Sequence, residues 1–113
     1  MWTIDNISPI VKNGLGSYEI SVINQDTQQS VLVQLPFMKL DRSVIINSVI
    51  RSRYQQDAVE AIINNHFINI AEWIDKKFAG STDSFEDPEY EELQAWRAES
   101  KRLADEILAA INN

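Results

Sequence analysis

The feature that most constrains the fold is the last quarter of the chain, residues 84–113, which has the marks of one long amphipathic helix. Asp87 is a good N-cap, and Pro88 suits the first helical position because a helix leaves the N–H of that residue unpaired in any case. Glutamates follow in the first turn and complement the positive amino end of the helix dipole. Apolar residues then recur at helical spacing: Tyr90, Leu93, Trp96, Leu103, Ala104, Ile107 and Ile111. The rest of this chain or another protein must cover that apolar face.

The amino-terminal third, residues 1–36, is predicted to form strands. Apolar and polar side chains alternate over 18–24 and 31–35, with many β-branched residues, and alternation of this kind is typical of half-buried strands. A run of Asn, Gln, Asp and Thr residues connects the two segments and favours a turn. The stretch 2–11 is a weaker candidate because a proline interrupts it, and residues 13–16 turn the chain after it. These patterns predict a meander of about three strands.

The middle region, residues 37–79, contains no Gly or Pro and is predicted to be helical. Asp41 or Ser43 can cap a first helix, although its β-branched residues leave a strand at 43–50 as an alternative. A second apolar series follows at helical spacing: Val59, Ile62, Ile63, His66, Phe67, Ile70, Ile74 and Phe78. Because the two apolar faces point about a quarter-turn apart, a break is expected near 52–56.

Together these elements predict one α+β domain over residues 1–113. Residues 1–36 are its β-rich part, 41–79 its helical part and 87–112 its long carboxy-terminal amphipathic helix. The expected architecture is a small antiparallel sheet with two or three helices packed on one face.

Charge and composition narrow the classes of function. The net charge is −7 and there is no cysteine, so disulfides, thiolate metal sites and thiol nucleophiles are excluded. Acidity also weighs against a large phosphate-binding surface, and we expect no nucleic-acid binding. One basic segment, 39–53, contrasts with the acidic region 79–113. An asymmetric charge distribution of this kind orients a partner protein or a second copy during association. Two solvated faces that keep the protein in solution are the simpler explanation.

The amino terminus lacks the basic and apolar regions of a signal peptide, and no stretch approaches the roughly 18 apolar residues that span a bilayer. The sequence therefore predicts a protein that is neither secreted nor membrane-spanning. We expect it in the cytoplasm of a bacterial host or incorporated in a virion or similar particle.

No motif predicts catalysis, a cofactor or a metal. His66 is the single histidine, and without cysteine or a second histidine it makes no usual zinc site. It would act as a base only if a serine and an acid met it in space, and a boundary residue with one hydrogen bond is the simpler interpretation. The acids of 83–92 lack the spacing of an EF-hand loop, and capping of the last helix accounts for them. Gly14-Leu15-Gly16 is a fragment of a dinucleotide motif and is interpreted as a turn.

The tryptophans are the best candidates for an interface, because tryptophan is over-represented among residues that dominate binding energies. Trp96 lies on the apolar face of the last helix, whereas Trp73 lies one step off the best line of its own helix. With Tyr90 and Leu93 they form the candidate interface, and whether each lies in the core or at the surface stays open at the level of sequence.

Two segments resemble known proteins. RSRYQQDAVEAIINNHF at 51–67 and EYEELQAWRAESKRLADEIL at 89–108 resemble pieces of short uncharacterised proteins encoded in phage and prophage structural regions. The Leu-Gln-Ala-Trp-Arg element at 93–97 is similar to the carboxy-terminal helices of tail-fibre assembly proteins. The resemblance covers about a third of the chain and implies an accessory or structural role in a virus-like assembly.

These observations predict a non-enzymatic interaction or assembly module, an accessory or adaptor protein of phage or prophage origin. Its partners would be other proteins or further copies of itself, with no small-molecule substrate, cofactor or membrane. The alternative is an acidic regulator or inhibitor that occupies the basic, nucleic-acid-binding site of a host factor.

Overall fold

A computed structural model describes residues 1–112 and shows a three-stranded antiparallel sheet followed by three helices. The elements are β1 (Trp2–Lys12), β2 (Leu15–Asn24), β3 (Ser30–Gln34), α1 (Arg42–Arg51), α2 (Gln56–Phe78) and α3 (Pro88–Ile111). The strands lie in the order β1-β2-β3. The predicted α+β class is confirmed, and the region 43–50 is helical rather than extended. The last position of the predicted domain, 113, lies outside the described residues.

In the structure β1 is one continuous strand over Trp2–Lys12. A bulge within it interrupts the alternation of apolar and polar residues on which a prediction from sequence depends. The register shifts between Ile4 and Asn6, so that Ile4 lies opposite Val22 whereas Ile7 lies opposite Ile20. An even-numbered and an odd-numbered isoleucine therefore face the same side of the sheet, which is the effect of one extra residue in a strand. A strict two-residue alternation cannot reveal such a strand.

The turn between β1 and β2 consists of two residues, Asn13 and Gly14. Their φ angles are 53° and 78°. Positive φ at both central positions is characteristic of the type I′ turn, whose twist matches that of the flanking strands, and the Asn-Gly pair is its preferred sequence. The long hairpin is therefore specified locally.

The core lies between one face of the sheet and the helices α1 and α3. Its buried residues are Trp2, Ile20, Val22, Val33, Leu35, Ile45, Val49, Trp96, Leu103, Ala104 and Ile107. Trp2 and Trp96 meet edge to face with their ring centroids 5.0 Å apart. Ser100, the polar residue on this face of α3, donates its hydroxyl hydrogen bond to the Trp96 carbonyl at 2.7 Å and so needs no further partner. The chain itself thus covers the carboxy-terminal part of the apolar face of α3.

Arginines of the basic segment contact acidic residues of α3. Arg42 Nε lies 2.8 Å from Asp105 Oδ1, and a terminal nitrogen of Arg53 lies 3.1 Å from Glu92 Oε1. The Arg53 guanidinium also lies 4.7 Å from the centroid of the Trp96 ring. Part of the charge asymmetry is therefore satisfied by contacts within the molecule, while Arg42, Asp105 and Glu92 stay exposed to solvent.

The molecule is elongated, with principal extents of 62 × 29 × 19 Å and a Cα radius of gyration of 18.0 Å. A compact chain of this length would have a radius of about 13 Å. Val59 and Ile62, the buried residues of α2, lie in its first two turns and pack against Leu93 of α3. α2 spans about 35 Å at 1.5 Å per residue, so its second half extends well beyond these contacts.

Candidate functional site

The second half of α2 carries an apolar face that the chain leaves largely uncovered. We call this face the distal stripe, and it consists of Phe67, Ile70, Ile74 and Phe78. At about 100° per residue these positions fall within an arc of about 80°, so they form one continuous face. Phe67 is 65% exposed, Ile74 41% and Phe78 89%, whereas Ile70 is half-buried. An exposed and contiguous patch of large apolar side chains marks an interaction surface.

The first two residues of the distal stripe, Phe67 and Ile70, lie in a segment without charged residues. Residues 61–71 contain no Asp, Glu, Lys or Arg, although the chain as a whole carries a net charge of −7. The nearest charged residues lie towards the two ends of α2, at Asp57 and Glu60 and again from Glu72 onwards. Depletion of charge is the compositional mark of the centre of a protein interface.

Trp73 fastens the loop 79–87 against one flank of α2. Its indole Nε1 donates a hydrogen bond to the Asp83 carbonyl at 3.0 Å, and its ring centroid lies 5.7 Å from that of Phe85. The Lys77 ammonium lies 5.5 Å from the centre of the indole. Trp73 is consequently half-buried by its own chain, at the border of the distal stripe.

His66 and Asp87 join the middle of α2 to the beginning of α3. His66 Nδ1 lies 2.8 Å from Asp87 Oδ2, and the Asn69 amide donates to the same oxygen at 3.2 Å. Because an ionised carboxylate only accepts hydrogen bonds, Nδ1 carries the proton. The imidazole also stacks on the Tyr90 ring, with centroids 3.5 Å apart and planes inclined by 8°. The interpretation of His66 as a boundary residue with one hydrogen-bond partner agrees with this arrangement.

Asp87 also caps α3, as the sequence predicted. Its Oδ1 accepts a hydrogen bond from the Tyr90 backbone N–H at 3.3 Å, and Pro88 occupies the first turn. The hydrogen bond from His66, aided by those from Asn69 and the Tyr90 N–H, lowers the pKa of Asp87 against the opposing effect of burial. The side chain therefore stays ionised while it holds α2, the loop and α3 together.

The structure corrects the candidate interface in part. Leu93 and Trp96 are fully buried, because Leu93 packs against α2 and Trp96 against the sheet. Neither side chain is available to a partner of the folded chain. Tyr90 and Trp73 keep partial exposure, with Tyr90 stacked on His66 and Trp73 in contact with Phe85.

In the sequence, the distal stripe could be recognised only as a set of apolar residues at helical spacing. Phe67, Ile70, Ile74 and Phe78 were predicted to share one apolar face, and sequence reasoning missed that residues 1–112 leave much of it exposed. One sequence signal points to this outcome, the uncharged run 61–71.

A second concave surface lies between the β1–β2 hairpin, the end of β3 and α1. This groove has a volume of about 1080 Å³, and its lining includes Val11, Leu32, Phe37, Val44, Arg51 and Gln55. Its walls are mixed, and the groove is open along its length. Arg51 there contacts Gln56 of α2 and so is engaged by its own chain. Its lining also includes Lys12, Gln34, Asn47, Ser48 and Ser52, and the two serine hydroxyls donate to backbone carbonyls of α1 itself.

Neither a metal-binding cluster nor a membrane-spanning helix is found within residues 1–112. Within residues 1–112, no three His, Asp or Glu side chains converge as a metal site requires. Among the helices of that same range, none has an apolar segment long enough for a bilayer crossing.

Comparisons with models of known protein families, with curated proteins and with solved structures found no match to this chain. Function has to be inferred from the geometry of the chain itself.

Proposed function

We propose that this chain is a non-enzymatic interaction module that acts in assembly through protein–protein contacts, with the distal stripe as its contact surface. The observation that carries the proposal is the exposure of Phe67 and Phe78 on one face of α2, with Phe67 inside the uncharged segment 61–71. Burial of one phenylalanine side chain contributes about 1.5–3 kcal/mol. Burial of both rings by a partner therefore contributes a favourable free energy of binding.

The way in which α2 is held supports this proposal. The Trp73 hydrogen bond and the His66–Asp87 pair fasten one flank of the helix to the loop and to α3. The distal stripe is therefore presented on a helix that is already formed and fixed. A preorganised surface binds more tightly because little conformational entropy is lost on association.

The proposed biological setting is an accessory or adaptor role in a phage or prophage assembly, in the host cytoplasm or within the particle. The support is the resemblance of 51–67 and 89–108, which form the junction of α1 with α2 and most of α3. These segments place the distal stripe relative to the core, and a role in assembly suits a chain that exposes such a face.

An acidic regulator that occupies a basic site on a host factor is the second candidate. The exposure of Glu86, Glu89 and Glu91 around the first turn of α3 favours it. Binding of this kind depends on charge, so the affinity for a basic partner should fall steeply between low and high salt. Binding through the distal stripe should instead change little with salt.

The test uses two neighbouring residues of α2. Phe67 and Ile68 are both exposed and apolar, at 65% and 54%, but Ile68 lies outside the distal stripe. We expect Phe67→Glu to abolish capture of proteins from the native source by the immobilised chain, including further copies of itself, and Ile68→Glu to leave the capture unchanged. Retention of every captured protein by Phe67→Glu contradicts the proposal.

A further inference from the structure

The apolar positions of α2 are placed symmetrically about the point between Ile68 and Asn69. Two pairs that keep some exposure are equidistant from that point: Phe67 with Ile70, and Ile63 with Ile74. Val59 is equidistant with Phe78, but it is buried against Leu93 and takes no part in the contact. A second α2 laid antiparallel across a two-fold axis at this point would bring the members of each exposed pair to the same level. A surface that complements itself in this way is what a two-fold symmetric contact requires.

The distal stripe, together with Ile63 one turn before it, has a spacing that suits the same arrangement. Ile63, Phe67, Ile70 and Ile74 follow one another at intervals of four, three and four residues. That is the alternation of the apolar positions in a coiled coil, whose side chains interlock with those of a facing helix. The face therefore has the form of a helix–helix seam.

Charge selects the antiparallel orientation. Asp57 and Glu60 lie near the amino end of α2, whereas Lys76 and Lys77 lie near its carboxyl end. In the antiparallel pair Glu60 comes to the level of Lys77 of the other copy, and the helix dipoles oppose each other. A parallel pair would instead place the Asp57 and Glu60 carboxylates of both copies together at the amino ends, which is unfavourable, whereas the carboxyl ends, where Glu72 and Asp75 offset Lys76 and Lys77, favour neither orientation.

One flank of the distal stripe is open to a second helix. The loop 79–87 occupies the flank of Trp73, through the contact of that ring with Phe85. On the other flank, Asn64 and Ala71 are exposed, uncharged and short. Short side chains there allow two helix axes to approach to about 8–10 Å.

The area available matches a weak dimer. With roughly 200 Å² for each phenylalanine side chain, the exposed apolar area of the distal stripe is about 400 Å² per copy. Two copies with their flanking residues bury about 1,000 Å², near the lower limit for a specific interface. Association in the micromolar range is the expected consequence.

From this we infer that the distal stripe is covered by a second copy of this chain, bound through an antiparallel α2–α2 contact. The inference rests on the proposed function and names the partner of the same surface. It makes the chain a two-fold unit with two sheet-and-helix cores at opposite ends of a shared helix pair.

Sedimentation equilibrium of the full chain tests the association. We expect the mass to rise from that of the 12.9 kDa chain to twice that value as the concentration increases through the micromolar range. Phe67→Glu and Ile74→Glu should each weaken association at least about tenfold, a change of about 1.4 kcal/mol. Ile68→Glu should leave it unchanged. Circular dichroism of each variant controls for folding, because all three side chains are exposed and their replacement should preserve the helix content.

Cross-linking tests the orientation, which is straightforward because the chain has no cysteine of its own. Asn64→Cys and Ala71→Cys chains are mixed in equal amounts and treated with a short thiol-specific cross-linker. The antiparallel contact predicts mixed 64–71 dimers, which differ in mass from both homodimers. Predominant homodimers would overturn the antiparallel arrangement. If the chain stays monomeric at all concentrations, the whole inference is overturned. The proposed function has a separate test and fails if the Phe67→Glu chain still captures every native partner.

Discussion

His66 Nδ1 donates a hydrogen bond to the Asp87 carboxylate at 2.8 Å, and this contact joins the middle of α2 to the N-cap of α3. One carboxylate thus serves two purposes, because its second oxygen accepts the Tyr90 backbone N–H. This pair and the packing of Val59 and Ile62 on Leu93 hold α2 against α3. Together they place the distal stripe relative to the core.

Acidification should release the Asp87 contacts. The pKa of Asp87 is lowered in the folded chain by the hydrogen bond from His66, so its stabilising contribution is complete above the unfolded pKa of about 4 and is lost as the pH falls through the folded value. The free energy of unfolding, measured by urea titration at a series of pH values, should fall below pH ~4. Asp41 and Asp105, whose pKa values are also lowered, contribute to the same fall.

The Asp87→Asn variant separates the contribution of Asp87 to the pH dependence of stability from those of Asp41 and Asp105. Asparagine still caps a helix by accepting the Tyr90 N–H on its single amide oxygen, but its NH2 group cannot accept the hydrogen bonds that the other carboxylate oxygen takes from His66 and Asn69, and it does not titrate. The variant should be less stable than the natural chain near neutral pH, and its stability should fall less steeply below pH ~4. An unchanged pH dependence would show that Asp87 is not linked to folding in this way.

Trp96 should tolerate loss of its indole nitrogen better than loss of its ring. The ring fills the core against Trp2, whereas its Nε1 is buried and has no hydrogen-bond acceptor among the described residues. A buried unpaired donor costs about 1–3 kcal/mol, which Phe at this position avoids. We expect Trp96→Phe to destabilise by less than about 2 kcal/mol and Trp96→Ala by about 3–5 kcal/mol. Urea denaturation measures both, and equal losses in the two variants would contradict the account of the nitrogen.

Deletion of Asp5 should preserve the fold. This residue lies at the register shift of β1, between the paired Ile4 and Asn6. Its removal turns the bulge into a regular alternation and leaves Ile4 and Ile7 on the core face. Deletion of Ser21 from the centre of β2 should instead reverse the faces of the residues beyond it and unfold the chain. Circular dichroism and thermal melting distinguish the two, and unfolding by the Asp5 deletion would contradict the role of the bulge.

The parts of the fold that depend on local chemistry were predictable from the sequence. Asp87 and Pro88 specify the start of α3 because they satisfy the first turn, and the rotation of the apolar faces specifies the break between α1 and α2. β1 was harder to predict because Pro9 interrupts the stretch and the bulge at Asp5 shifts its alternation. Local signals contain no information about such a shift of register.

The candidate interface depended on tertiary structure and was therefore only partly predictable. Leu93, Trp96 and Phe67 look alike in sequence, since each lies on an apolar helix face. α2 and the sheet cover the first two, whereas α3 and the loop before it contact α2 at His66, Asn69 and Trp73, and Phe67 lies about 100° around the helix from His66. Coverage is decided by where helices begin and end in space, which periodicity does not specify.

Hydrogen–deuterium exchange at two concentrations of the full chain tests the central claim, that the distal stripe is a contact surface occupied by a second copy. Peptides covering residues 64–78 should exchange more slowly at the high concentration, whereas β2 and the carboxy-terminal half of α3 should exchange alike at both. Phe67→Glu should remove the difference. Exchange of 64–78 that does not depend on concentration, or protection confined to the groove between the hairpin and α1, would contradict the claim.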